Sequence, residues 1–77
     1  MKVTMINSDD FFEGATPEEI VHQMNLAAWT QSDGDQVYMA DVASRVSLQT
    51  GIVIRTDTAE NFLTDLVKAN LITIEGD

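Results

Sequence analysis

The chain has no cysteine among its 77 residues, so neither a disulfide framework nor a thiolate metal site supports it. Four Lys and Arg stand against thirteen Asp and Glu, which leaves a formal charge of −9. The fixed cations are Lys2, Arg45, Arg55 and Lys68. Nucleic-acid binding draws on clustered Lys and Arg to neutralise several phosphates, and four scattered cations in a negative field argue against direct contact. An anionic membrane surface is disfavoured for the same reason. No apolar run approaches the roughly 20 residues that span a bilayer. The segment Met1-Lys2-Val3-Thr4-Met5-Ile6 lacks the regions of a signal peptide, so a cytoplasmic protein is expected. The four glycines, at 14, 34, 51 and 76, are isolated, so no glycine-rich phosphate loop is present.

What the chain does have is apolar content with local periodicity. At 44% hydrophobic it is not a disordered acidic tail, and its length suits a single domain over residues 1–77 with one modest core. No repeat, linker or low-complexity tract divides it.

The placement of the acids is informative. Asp9, Asp10, Glu18, Glu19, Asp35, Asp57 and Glu60 fall where helices should begin. Carboxylates there accept bonds from unpaired backbone N–H groups and suit the positive end of the helix dipole. Much of the negative charge is thus accounted for by helix construction.

Lys2 to Ile6 reads as a short strand. Asn7-Ser8-Asp9-Asp10 offers caps for a helical turn holding Phe11 and Phe12, ended by Gly14. Thr16-Pro17-Glu18-Glu19 is the strongest local signal: Thr16 fits the N-cap, Pro17 the first helical position, and Glu19 completes a capping box. A first long helix is predicted from about Pro17 to Trp29, with Ile20, Val21, Met24, Ala27 and Ala28 inward. After the turn at 31–35, a second helix is predicted over 36–50. Its inward stripe is Met39, Val42, Ala43 and Val46, with Tyr38 on the flank and Gly51 as the left-handed terminator. Ile52-Val53-Ile54 reads as a short β-type run. Asp57-Thr58-Ala59-Glu60 repeats the capping logic with Asp57 as cap. Ala59, Phe62, Leu63, Leu66, Val67 and Asn70 then keep helical spacing. Asn70 fits the left-handed closing position with Leu71 packing back on Leu66, and 71–75 closes as a strand.

The expected class is α+β: a compact, mainly helical domain with three principal helices and a small antiparallel sheet from the terminal strands. The order helix, helix, short strand, helix, terminal strand resembles a winged-helix arrangement. That resemblance concerns element order alone and implies no function.

Residues that could carry chemistry lack partners. His22 is the only histidine, with no second metal ligand or nucleophile motif beside it. Its ordinary reading is a surface side chain. Asp33-Gly34-Asp35 resembles the start of a calcium loop, but Val37 and Met39 fall at ligand positions and Ser44 where the closing Glu belongs. Asp9, Asp10 and Glu13 form no recognisable acid/base or magnesium constellation. Arg45 and Arg55 could hold a phosphate or carboxylate, but the favoured reading is that each neutralises nearby acids on a charged surface. No enzyme, catalytic residue, metal or cofactor is expected.

Leu26 and Trp29 project away from the inward stripe of the first helix, beside His22. Either Phe11 and Phe12 cover them, or His22, Leu26 and Trp29 form a contact surface for a protein partner or a second copy. The leading functional expectation is a small acidic protein–protein interaction or accessory regulatory module, with a symmetric homodimer as the simplest assembly. The alternative is a winged-helix-like, transcription-associated regulator or DNA mimic acting through a protein partner. Mimicry needs carboxylates in spaced rows on one face, whereas capping acids should scatter to several helix ends.

Overall fold

In the computed structural model, which describes residues 1–6, 8, 10–28 and 33–76, six elements follow one another. They are β1 (Lys2–Met5), β2 (Phe11–Glu13), α1 (Pro17–Ala27), α2 (Asp35–Thr50), α3 (Ala59–Lys68) and β3 (Ile72–Glu75). The class is α+β, with three helices against a three-stranded antiparallel sheet of order β2-β1-β3. The Cα radius of gyration is 11.3 Å, close to the ~11.5 Å of a compact chain this long.

The pairing of the first and last strands agrees with the sequence reading. Val3 faces Ile74 and Met5 faces Ile72. The third strand was not expected. Phe11 and Phe12 form β2 against β1, with Val3 opposite Phe12 and Thr4 opposite Phe11. The reason is length. Three residues between Asp10 and Gly14 are too few to offset helix nucleation. In a strand, the period of two sends Phe12 to the helix-facing side and Phe11 outward. Phe12 packs on the core. Phe11 is 54% exposed, and the Lys2 ammonium lies 4.7 Å from its ring centroid.

The run at 52–54 also differs from expectation. It forms no strand and has no ladder partner. Ile54 alone is buried there, docked in the core, while Ile52 and Val53 are exposed. The absent strand between α2 and α3 and the extra strand before the helices both depart from the winged-helix order.

Each helix shows how its ends are set. Thr16 Oγ1 accepts the Glu19 N–H at 3.2 Å, as the capping motif predicts. Glu19 Oε2 reaches one residue further back than expected, accepting the Ala15 N–H at 2.7 Å. In α3 the cap is Thr58, not Asp57. Thr58 Oγ1 accepts the Asn61 N–H at 3.0 Å, because its extended backbone places the hydroxyl over that amide. Asp57 sits one residue outside and accepts from Asn61 Nδ2 and the Thr58 N–H. Gly51 (φ 76°) and Asn70 (φ 60°) take the left-handed positions that close α2 and α3. The Leu71 N–H then donates to the Leu66 carbonyl at 3.1 Å, so the chain reverses directly into β3.

Thr16→Ala and Thr58→Ala should each lower stability by about 1 kcal/mol. Asp57→Ala should cost less than Thr58→Ala, because its carboxylate accepts outside the first turn. Denaturant titration of the three variants checks the ranking, and an Asp57 loss exceeding that of Thr58 would contradict the cap assignment.

The core comprises Val3, Ile20, Val21, Met24, Met39, Val46, Ile54, Ala59, Phe62, Leu63, Leu66 and Ile72. Two expected members are exposed. Ala27 is the last residue of α1, and Val67, 37% exposed, lies on the flank of α3. Two polar residues, Asn25 and Asp65, are buried instead.

Candidate functional site

A cleft of about 490 Å³ opens where the three helices begin. Among the described residues its floor is Val21, Met39 and Ala59, and its walls carry Glu18, Asp35, Asp57 and Glu60. Glu18 lies in the first turn of α1, Asp35 opens α2, and Glu60 lies in the first turn of α3. The capping acids therefore do not all scatter. Packing α1 against both α2 and α3 brings three helix N-termini to one place.

The four carboxylates are held differently. Asp35 is only partly accessible and lies 3.2 Å from His22 Nδ1. It also accepts from Asn25 Nδ2 at 3.3 Å. Asp57 is fixed by Asn61 and the Thr58 N–H, and these bonds draw its pKa below the ordinary carboxylate value, the Asn61 amide most strongly. Glu18 and Glu60 are exposed and have no hydrogen-bond or ion-pair partner among the described residues. Gln36 stands on the rim, donating from Nε2 to the Thr56 carbonyl at 2.8 Å, which ties α2 to the segment leading into α3.

No protein-family model, curated protein or solved structure matches the chain. The cleft is therefore read from its own chemistry. Among the described residues no three His, Cys, Asp or Glu side chains converge closely enough to hold a metal ion, and no helix is long and apolar enough to cross a membrane.

Of the contact surface expected from sequence, His22 and Leu26 both lie on the exposed side of α1, with Leu26 52% exposed. Trp29 lies outside the described residues. Phe12 packs on the core, and Phe11 points to the other face of the sheet, so neither buries Leu26. His22 joins this surface to the cleft, since its ring touches Asp35. The cleft itself was missed in sequence. The signal was present in Glu18, Asp35 and Glu60, but only the helix packing places them together.

Arg55 has a structural partner. Its Nε and Nη2 donate to the two oxygens of Asp65 at 2.9 and 3.1 Å, and its backbone N–H donates to Asp65 Oδ2 at 2.9 Å. Asp65 is 5% exposed, so this clamp fixes the segment before α3 onto that helix. The Arg55 guanidinium first, then the Arg55 N–H, draws the Asp65 pKa down to about 2 against the opposing effect of burial. Arg45 lies near Tyr38, where burial raises the phenol pKa and the Arg45 charge partly opposes that rise.

Proposed function

We propose that the chain is a small acidic protein–protein interaction module of the accessory or regulatory kind, without catalysis. Its cleft receives a Lys or Arg side chain of a protein partner. The observation that carries this reading is the pair Glu18 and Glu60, two carboxylates without a partner among the described residues, on the walls of a cleft floored by Val21, Met39 and Ala59. A long basic side chain matches both parts: its methylenes cover apolar surface while its head stays with the carboxylates. Exposed ion pairs contribute little singly, so affinity depends on several acids acting on one cation and on burying its stem. His22 and Leu26 extend the contact beyond the cleft. A cytoplasmic setting accords with the absence of cysteine.

A second reading is a transcription-associated regulator or DNA mimic that works through a protein partner. The gathering of acids from three helices favours it over a scattered charge. A compact cleft nevertheless suits one or two cationic groups better than a DNA-reading surface, which needs phosphate-like spacing.

The test is fluorescence anisotropy of a labelled peptide with alternating Lys, Arg and Leu against wild type and the Glu18→Gln/Glu60→Gln variant. The expected result is affinity that falls with added salt and roughly a tenfold loss in the variant, the equivalent of about 1.4 kcal/mol. Equal binding by both proteins would exclude the cleft as the site.

A further inference from the structure

His22 is the chain's one histidine, and the fold sets it against the cleft. Its Nδ1 lies 3.2 Å from each oxygen of Asp35, and Asp35 stands on the cleft wall. Asn25 Nδ2 holds the same carboxylate at 3.3 Å, so Asp35 keeps its place whatever the charge on the ring. An ionised carboxylate only accepts, so Nδ1 carries the hydrogen that joins His22 to Asp35. The other ring nitrogen, Nε2, is left to gain a proton as pH falls. No hydrogen bond engages it among the described residues. The His22 side chain is 59% exposed, so solvent can deliver that proton.

The charged groups around His22 are acidic on every side. On α1 itself, Glu18 lies one turn before it on the same side of the helix, with Glu19 next in sequence. The start of α2 brings Asp35, preceded by Asp33. Across the cleft stand Asp57 and, in the first turn of α3, Glu60. β2 also packs on α1 and carries Glu13, whose carbonyl accepts from Gln23. Among the described residues no Lys or Arg lines the cleft. Arg55, whose charge reaches Asp57, is committed to Asp65. A protonated His22 therefore adds the one positive charge at this wall.

We infer that His22 makes the cleft pH-sensitive: once protonated it pairs with Asp35 as a cation, offsets one of the four carboxylate charges, and weakens the hold on a basic side chain. The switch presupposes the proposed use of the cleft for Lys or Arg. Histidine is the side chain whose ordinary charge change falls between pH 5 and 8, whereas carboxylates ordinarily titrate near pH 4 and α-amino groups above pH 7.5. With one histidine and no cysteine in the chain, a change in affinity between pH 5.5 and 7.0 has a single side-chain source. An exposed unit charge acting on another changes affinity by roughly two- to fivefold, and salt screens that effect. The coupling is reciprocal: a cation bound in the cleft makes His22 harder to protonate by the same factor.

The test is the anisotropy titration with the Lys, Arg and Leu peptide, blocked at both ends, at pH 5.5 and 7.0 in low salt. Wild type should bind roughly two- to fivefold more weakly at pH 5.5. His22→Gln cannot gain the charge and should bind equally at the two pH values. His22→Lys carries the charge permanently and should bind weakly at both. The His22 ring protons, followed by NMR on wild type, give a readout that needs no variant. Their titration midpoint should fall by roughly 0.3 to 0.7 pH unit when the peptide is saturating, the same two- to fivefold factor on a logarithmic scale. Equal wild-type affinity at the two pH values, with Glu18→Gln/Glu60→Gln still weakening the complex, overturns the switch and leaves the cleft as the binding site. No binding at either pH overturns both. A pH effect that persists undiminished in His22→Gln, or a His22 midpoint that the peptide does not move, also overturns the switch.

Discussion

Phe62→Ala should lower stability by about 3–5 kcal/mol and leave much of the chain unfolded at ordinary temperature. Phe62 is fully buried and is the bulkiest of the completely enclosed side chains. It sits in α3, which packs on α1, α2 and β3. Truncation leaves a cavity that these elements cannot close independently, because each is fixed by the others. Leu66→Ala, one turn on and 2% exposed, should cost about 2–5 kcal/mol for the same reason. Val67→Ala is the internal control. That residue was expected inside from its spacing but is 37% exposed, so its loss should be small. Chemical denaturation of the three variants checks the order. A Val67 effect equal to that of Leu66 would contradict the observed face of α3.

Arg55→Ala should reduce the melting temperature far more than Arg45→Ala, although both arginines are exposed. Arg55 satisfies a carboxylate whose side chain is 7% exposed. Removing the guanidinium leaves Asp65 with the Arg55 backbone N–H and a Lys68 ammonium at 4.0 Å. A buried charge deprived of its main partner is more costly than the net worth of the pair suggests. The pH dependence has a definite sign. The Asp65 pKa is about 2 in the folded chain, against roughly 3.9 when unfolded. The contribution of the clamp is therefore fully present above pH ~4 and is lost as pH falls toward 2. Asp65→Asn should be less stable near neutrality and should lose less on acidification across that window. Thermal melts from pH 2 to 7 measure both, and parallel profiles for wild type and variant would rule out the clamp as the origin of this limb.

Local signals in the sequence carried most of the helical architecture. Thr16 with Pro17, Gly51, and Asn70 with Leu71 each impose a backbone geometry within a few residues, and each lies where its chemistry predicts. The pairing of β1 with β3 was legible because each terminal segment is short and β-branched, and neither can bury its apolar side alone. Features that depend on distant neighbours were less legible. Phe11-Phe12 follows acids that suit a cap, but its state is decided by β1 lying alongside. Asp65 reads as the polar side of an amphipathic helix until Arg55 is brought over it. Thr58 and Asp57 are both competent caps, and one hydroxyl bond separates them. The acidic cleft is the extreme case. Each carboxylate has a sufficient local reason for its position at a helix start, and only the mutual packing of α1, α2 and α3 turns three local solutions into one shared surface.

That shared surface is best tested by the methyl resonances of its floor. The chain, labelled at the methyl groups of Val, Leu, Met and Ala, is titrated with the Lys, Arg and Leu peptide and followed by NMR. The account predicts saturable shifts at Val21, Met39 and Ala59, smaller ones at Leu26, and none at the remote Val53. Shifts spread evenly over the acidic surface, or confined to methyls away from the three helix starts, would contradict it.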